Sequence, residues 1–248
     1  MIAGLDPRVA APVNGLRDNL LKVAVRELVG VYVHGSAVLG DFMAGSSDLD
    51  LLIVTHDDIE HDAITAIAAA LAACDPNPAV GVEASVVTRS AAMVPRAPWP
   101  FLVHVTNQPD DRKIVYGRDR DGDPDLVLHY AVLRQRGWTA MEAPATDVVG
   151  EIDRATIVAH LAAELRWAAG KASESYAVLN ACRALRFVSD GSLCSKTDGG
   201  RWALSAQIEP GLVEAAIAAR RGGPARPVSA AGRAWVLSIA SDLEQAER

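Results

Sequence analysis

Cysteine is scarce in this chain: Cys74, Cys182 and Cys194 are the only three among 248 residues, an odd number with no C-x-x-C pair. That excludes a disulfide framework and a cysteine zinc site, and leaves buried or incidental thiols. Aromatic residues make up only 5 % and Lys+Arg (24) fall short of Asp+Glu (31), giving a net charge of −7. With no basic stripe and few rings to stack on bases, a nucleic-acid partner is not expected. The negative balance suits a soluble protein that attracts cationic ligands. No apolar stretch approaches the roughly 20 residues that cross a bilayer, so no membrane span is expected. A P-loop, a G-x-G-x-x-G turn and a Ser-His-Asp order are also missing. The opening residues, MIAGLDPRVAAPVNG, lack a basic region followed by an apolar core and a cleavage site, so the cytoplasm is the expected compartment.

What is present falls into two halves. Apolar residues at helical spacing (Leu16, Leu20, Leu21, Val25, Leu28) predict a helix over 9–28, interrupted by Gly30. Strands follow at 31–34 and 48–55, then an alanine-rich helix to about Ala73, capped by Asp57 or Asp58, and a third strand over 80–88. Between Arg89 and Gly150 the prolines and the run Arg118-Asp-Arg-Asp-Gly-Asp-Pro124 predict long loops around short elements, with a helix near 125–136. After Gly150 the pattern is helical throughout: 152–171, 174–189, 198–207, 212–221 and 232–246, with Arg220–Pro227 as a mobile linker. The fold class is α+β: an α/β domain over 1–150 followed by an all-α bundle over 151–248.

The chemistry sits in one stretch, His34-Gly35-Ser36 to Ser47-Asp48-Leu-Asp50. A strand runs into a glycine turn, and a second strand opens with two acids. Residues two apart on a strand share a face, with Cα atoms roughly 6.5 to 7 Å apart. Asp48 and Asp50 can therefore converge on one hard cation such as Mg²⁺. Gly35 lets phosphate oxygens approach the backbone and Ser36 offers a hydroxyl donor. Either pair alone is a weak signal, but the order and spacing together are strong. A third carboxylate, Glu83, stands alone inside the third strand, either facing water on an edge strand or serving the site as a metal ligand or as a general base.

The Gly-Ser…Asp-x-Asp pattern resembles the nucleotidyltransferase superfamily of the DNA polymerase beta type. With Glu83 in Val-Glu-Ala-Ser-Val-Val, the segment Asp125-Leu-Val-Leu-His129, and Tyr176 to Arg183 followed by Ser195-Lys196, the chain is similar to the aminoglycoside adenylyltransferases of the streptomycin/spectinomycin type. The resemblance covers nearly the whole chain and implies a mixed sheet in the first domain. It also implies ATP as co-substrate, Mg²⁺ on Asp48, Asp50 and Glu83, and Glu83 as general base. Gly35, Ser36, Ser47 and Lys196 fall to the nucleotide. The other partner is a small cationic acceptor bound between the domains of a monomer, whose hydroxyl takes AMP as pyrophosphate leaves, conferring antibiotic resistance.

The match thins where the acceptor should bind. The family's drug-stacking tryptophan falls near Thr106–Pro109, with Trp99 displaced upstream as a substitute or a core residue. Glu174 stands where acidic residues meet the drug. A different acceptor hydroxyl, on a small molecule or a protein, is the alternative, and a silent nucleotide-binding regulator is a third reading. The cluster His56-Asp57-Asp58 with Glu60-His61-Asp62 reads as a solvated turn before a helix, and Asp125 with His129 as a packing pair four residues apart.

Overall fold

The computed structural model describes residues 4–141 and 143–246. The chain divides into two units, 1–152 and 153–248, two residues beyond the break expected at Gly150.

The first unit runs α1 (Ala10–Ala24), β1 (Leu28–Val33), α2 (Ser36–Leu39), β2 (Leu49–Thr55), α3 (His61–Ala72), β3 (Val82–Thr88), α4 (Arg89–Met93), β4 (Val103–Gln108), β5 (Asp111–Tyr116), α5 (Leu126–Arg136) and β6 (Trp138–Thr139). These strands form one six-stranded sheet in the order β5-β4-β3-β2-β1-β6. Only β2 and β3 run parallel, joined by α3; every other pairing is antiparallel. The sheet is therefore mixed.

The central strands are rich in β-branched residues and apolar on both faces, as a sheet covered on both sides requires. On one face Val31, Val33, Leu51, Ile53, Ala84 and Val86 pack against Leu16 and Leu20 of α1 and Ile67 and Leu71 of α3. On the other, Tyr32, Leu52, Val54 and Val87 meet Leu126, Tyr130 and Leu133 of α5. Asp50 and Glu83 interrupt this second apolar face at one end of the sheet, because the pleat puts them on the side of Leu52 and Val87.

Several boundaries depart from the expected ones. Gly30 lies inside β1, where a Cβ would stand 2.4 Å from the Tyr32 ring, so it leaves room for that ring. The N-cap of α3 is Glu60, without a side-chain capping bond; Asp57 instead accepts the Ser90 N–H at 2.9 Å. The region expected to be loops holds the β4–β5 hairpin, closed by Pro109 and Asp110.

The second unit is all helical: α6 (Arg154–Lys171), α7 (Glu174–Asp190), α8 (Lys196–Ser205), α9 (Pro210–Arg220) and α10 (Ala230–Ala246). Asp153, Ser173 and Ser195 cap α6, α7 and α8 by accepting the N–H groups of Thr156, Tyr176 and Asp198. Gly191 ends α7 in the left-handed conformation that glycine adopts without strain. Helix α6 packs on α10, and α7 packs on α8 and α9. Cys182 and Cys194 are buried and free, and burial pushes both thiols up. No helix among the described residues is long and apolar enough to cross a membrane.

Candidate active site

The first unit gathers its polar groups where β1 ends and β2 and β3 begin. The His34 N–H donates to the Asp50 carbonyl at 3.0 Å, so the chain leaves β1 beside the aspartate pair. Gly35 then turns at φ 63°, ψ −148°, a region essentially closed to residues with a Cβ, and α2 starts at Ser36. A Cβ on Gly35 would stand 1.8 Å from Asp50 Oδ2. The glycine is there because the carboxylate fills the space a side chain would occupy.

Pairing across the sheet sets the rest in a row. Asp50 pairs with Glu83, Glu83 with Thr106 and Thr106 with Lys113, so all four share one face. The opening of β3 is held by Asn107. Its buried Oδ1 accepts the Val82 N–H at 2.6 Å, and its Nδ2 donates to the carbonyls of Leu71 at 3.2 Å and Cys74 at 2.9 Å.

Glu83 is pushed up to about 7, first by burial and next by the negative charge of Asp48, then of Asp125 and Asp123, with Lys113 opposing. A carboxyl that changes charge near neutrality suits a general base. His34 is buried and stacks on His129 of α5, ring centroids 4.4 Å apart. Burial, reinforced by the neighbouring imidazole, holds His34 well below the ordinary histidine value, so it is neutral. The pair seats α5 on the end of β1.

The donor set is chemically that of a hard cation: carboxylate oxygens only, with negative charge concentrated around Glu83. Among the described residues no three His, Cys, Asp or Glu side chains are gathered closely enough to hold a metal ion. A pair of aspartates completed by substrate phosphate oxygens is how Mg²⁺ is commonly held, in place of an all-protein cage. Asp48 and Asp50 fit that pattern, with Glu83 alongside. Buried and without hydrogen-bond partners among the described residues are His34 Nε2, Ser36 Oγ and Thr106 Oγ1. Such atoms are what a polar ligand would satisfy.

The other expected residues have the following surroundings. Ser47 is buried, and its Oγ accepts the Met43 N–H at 3.0 Å, so its hydroxyl closes the turn before Asp48. Trp99, at φ 63°, packs on the core under α5, and its carbonyl accepts the Asp123 N–H at 3.0 Å. Lys196 opens α8 with Nζ 4.2 Å from the Tyr176 ring centroid, and the Tyr176 hydroxyl donates to Glu164 at 2.9 Å. Glu174 accepts hydrogen bonds from the N–H and hydroxyl of Ser229, tying α7 to the segment before α10. That segment, 221–229, is accordingly anchored at Glu174. Asp123 was missed by sequence reasoning, and Asp125 was read there only as a packing partner of His129, because both lie in a charged loop of ordinary composition. Their only signal was alternation of the acids ahead of α5.

Residues 147–240 match the sequence model of the aminoglycoside adenylyltransferase C-terminal domain. No curated protein matches the chain by sequence. In structure it is similar to the spectinomycin adenyltransferase AAD(9) from Enterococcus faecialis, crystallised with ATP and spectinomycin: TM-score 0.66 and 16 % identity, covering 96 % of this chain and 98 % of that one. Residues 147–240 thus match the aminoglycoside adenylyltransferase C-terminal domain, and the chain shares the fold of AAD(9) over nearly its whole length.

Proposed function

We propose that this protein transfers AMP from ATP to a hydroxyl of a cationic aminoglycoside or aminocyclitol of the spectinomycin and streptomycin kind. Adenylylation would inactivate the drug and so confer resistance. One observation carries the reading: Asp50, packed on Gly35 and paired in register with Glu83, sets a carboxylate for the cation beside a carboxylate poised near neutrality.

Asp48 and Asp50 would hold Mg²⁺, which when bound supplies positive charge to the phosphate oxygens. Gly35 would offer its N–H to the phosphates, and Ser36 Oγ would gain there the partner it otherwise lacks. Glu83, ionised, takes the proton of the acceptor hydroxyl. The acceptor oxygen forms a bond to the α-phosphorus, the bond from that phosphorus to the bridging oxygen of the β-phosphate breaks, and pyrophosphate leaves with the electron pair. The match over 147–240 supports an aminoglycoside as the acceptor, and ATP in the similar structure supports the donor.

Expression in a sensitive bacterial host tests the reading. The wild type should raise the inhibitory concentration of spectinomycin, streptomycin or both, and Asp50→Asn, expressed equally, should not. Unchanged sensitivity to the whole class with soluble protein present would overturn it.

A further inference from the structure

Lys196 opens α8 from a rigid base. Ser195, the N-cap, is only 4 % exposed, and its Oγ accepts the Asp198 N–H at 3.1 Å. The residue before it is tied to α7, where Arg183 Nε donates to the Cys194 carbonyl at 2.8 Å. Gly199, in the first turn of α8, lies so close to α7 that a Cβ would stand 3.0 Å from the Arg183 backbone nitrogen. Beyond this base the lysine has a flexible four-carbon stem, and its end rests on a ring: Nζ stands 4.2 Å from the Tyr176 ring centroid.

Tyr176 is itself held on two sides. It lies in the first turn of α7, where its N–H donates to the capping Ser173 Oγ at 3.3 Å. Its hydroxyl donates to Glu164 of α6 at 2.9 Å. Trp167, three residues further along α6, meets the ring nearly edge-on, with 6.0 Å between centroids and 78° between planes. Glu164 and Trp167 share one side of α6 and together fix the plane of the ring. A hydroxyl that donates to a carboxylate also raises the electron density of its ring, which strengthens the hold on a cation. A ring face holds an ammonium without neutralising it, so the full charge remains for an anion, whereas a carboxylate partner would offset it. Leucine could fill the same space beside Trp167; only an aromatic face orients the ammonium.

We infer that Tyr176 is a positioning residue: its ring, fixed by Glu164 and Trp167, holds the Lys196 ammonium in place for the triphosphate of the donor nucleotide. This rests on the proposed transfer from ATP and adds to it the residue that orders the lysine. Ordering a long side chain opposes binding when it happens on association, and no longer does so when the free protein already holds the side chain in place. Tyr176 therefore acts on nucleotide affinity, and only through Lys196.

Calorimetry of Mg²⁺-ATP binding to the full chain, with no acceptor present, tests this. Tyr176→Leu should weaken binding about three- to tenfold, the loss expected when one long side chain must be ordered on association; Tyr176→Met takes its place if the leucine variant does not fold. Tyr176→Phe keeps the ring face against Trp167 and should bind within about twofold of wild type. Lys196→Met should weaken binding about tenfold, and adding Tyr176→Leu to it should change nothing more, because the ring then has no ammonium to hold. Unchanged binding in Tyr176→Leu, a further loss when both residues are replaced, or a loss in Tyr176→Phe equal to that in Tyr176→Leu would each overturn the inference. So would Lys196→Met binding as tightly as wild type, or no binding of Mg²⁺-ATP by the wild type. The expected pattern of binding without AMP transfer to any drug would instead remove the proposed reaction and leave Tyr176 in this role.

Discussion

Asp50 is seated against Gly35 so closely that a methyl group on the glycine would stand 1.8 Å from the carboxylate oxygen. The same glycine holds φ 63°, ψ −148°, so the turn and the carboxylate depend on each other. Gly35→Ala should cost about 1–3 kcal/mol of stability from backbone strain alone. By displacing Asp50 it should also lower kcat/KM by about 100-fold or more, since such sites tolerate little misplacement. Thermal melting and steady-state kinetics check both; a variant as active as wild type would contradict the packing.

Glu83 makes a pH-dependent prediction for stability. Its pKa rises from 4.5 in the unfolded chain to about 7 when folded. Across that window the folded state holds a proton the unfolded state has released, so folding is increasingly penalised as pH rises from 4.5, fully so above about pH 7. Glu83→Gln removes the penalty. In metal-free protein the variant should gain little at pH 5 and up to about 3 kcal/mol at pH 8, by urea titration, while losing activity. An equal gain at both pH values would contradict the burial argument.

Asn107 bonds one N–H and two carbonyls from inside the first unit. Asn107→Ala leaves the Val82 N–H and the Leu71 carbonyl buried without this partner, and should cost about 2–4 kcal/mol. Because Val82 precedes Glu83, kcat should fall along with the melting temperature. A loss confined to acceptor KM would mean that the side chain faces substrate.

Lys196 lies on the Tyr176 ring, a contact worth about 0.5–1 kcal/mol at a partly open site. We propose that this lysine also contacts the triphosphate. Lys196→Met should therefore raise KM for ATP about tenfold, change KM for the acceptor little, and lower stability by no more than the ring contact. Unchanged ATP kinetics would restrict Lys196 to packing in the helical unit.

Apolar patterning made β1, β2, α3 and β3 legible, since Val31-Tyr32-Val33 and Leu49–Thr55, interrupted only by Asp50, are rich in β-branched and other apolar residues. The β4–β5 hairpin was not legible: Asp111-Arg-Lys on an exposed edge strand reads as loop, and the prolines around it reinforced that reading. Asp48, Asp50, Glu83, Gly35 and Ser36 stood out because strand spacing is local. The His34–His129 stack and the approach of Asp125 to Glu83 depend on where α5 docks, about which local pattern is silent. Ser47 and Glu174 are polar residues of the expected type whose side chains are engaged in turn and loop hydrogen bonds, a distinction visible only from their partners.

The central claim is AMP transfer dependent on the aspartate pair, and mass spectrometry of the acceptor measures it most directly. The protein is incubated with ATP, Mg²⁺ and a panel of aminoglycosides and aminocyclitols. At least one drug should gain the mass of an AMP group with stoichiometric pyrophosphate, and folded Asp50→Asn should yield neither; no adduct on any drug, or an equal adduct from Asp50→Asn, would contradict it.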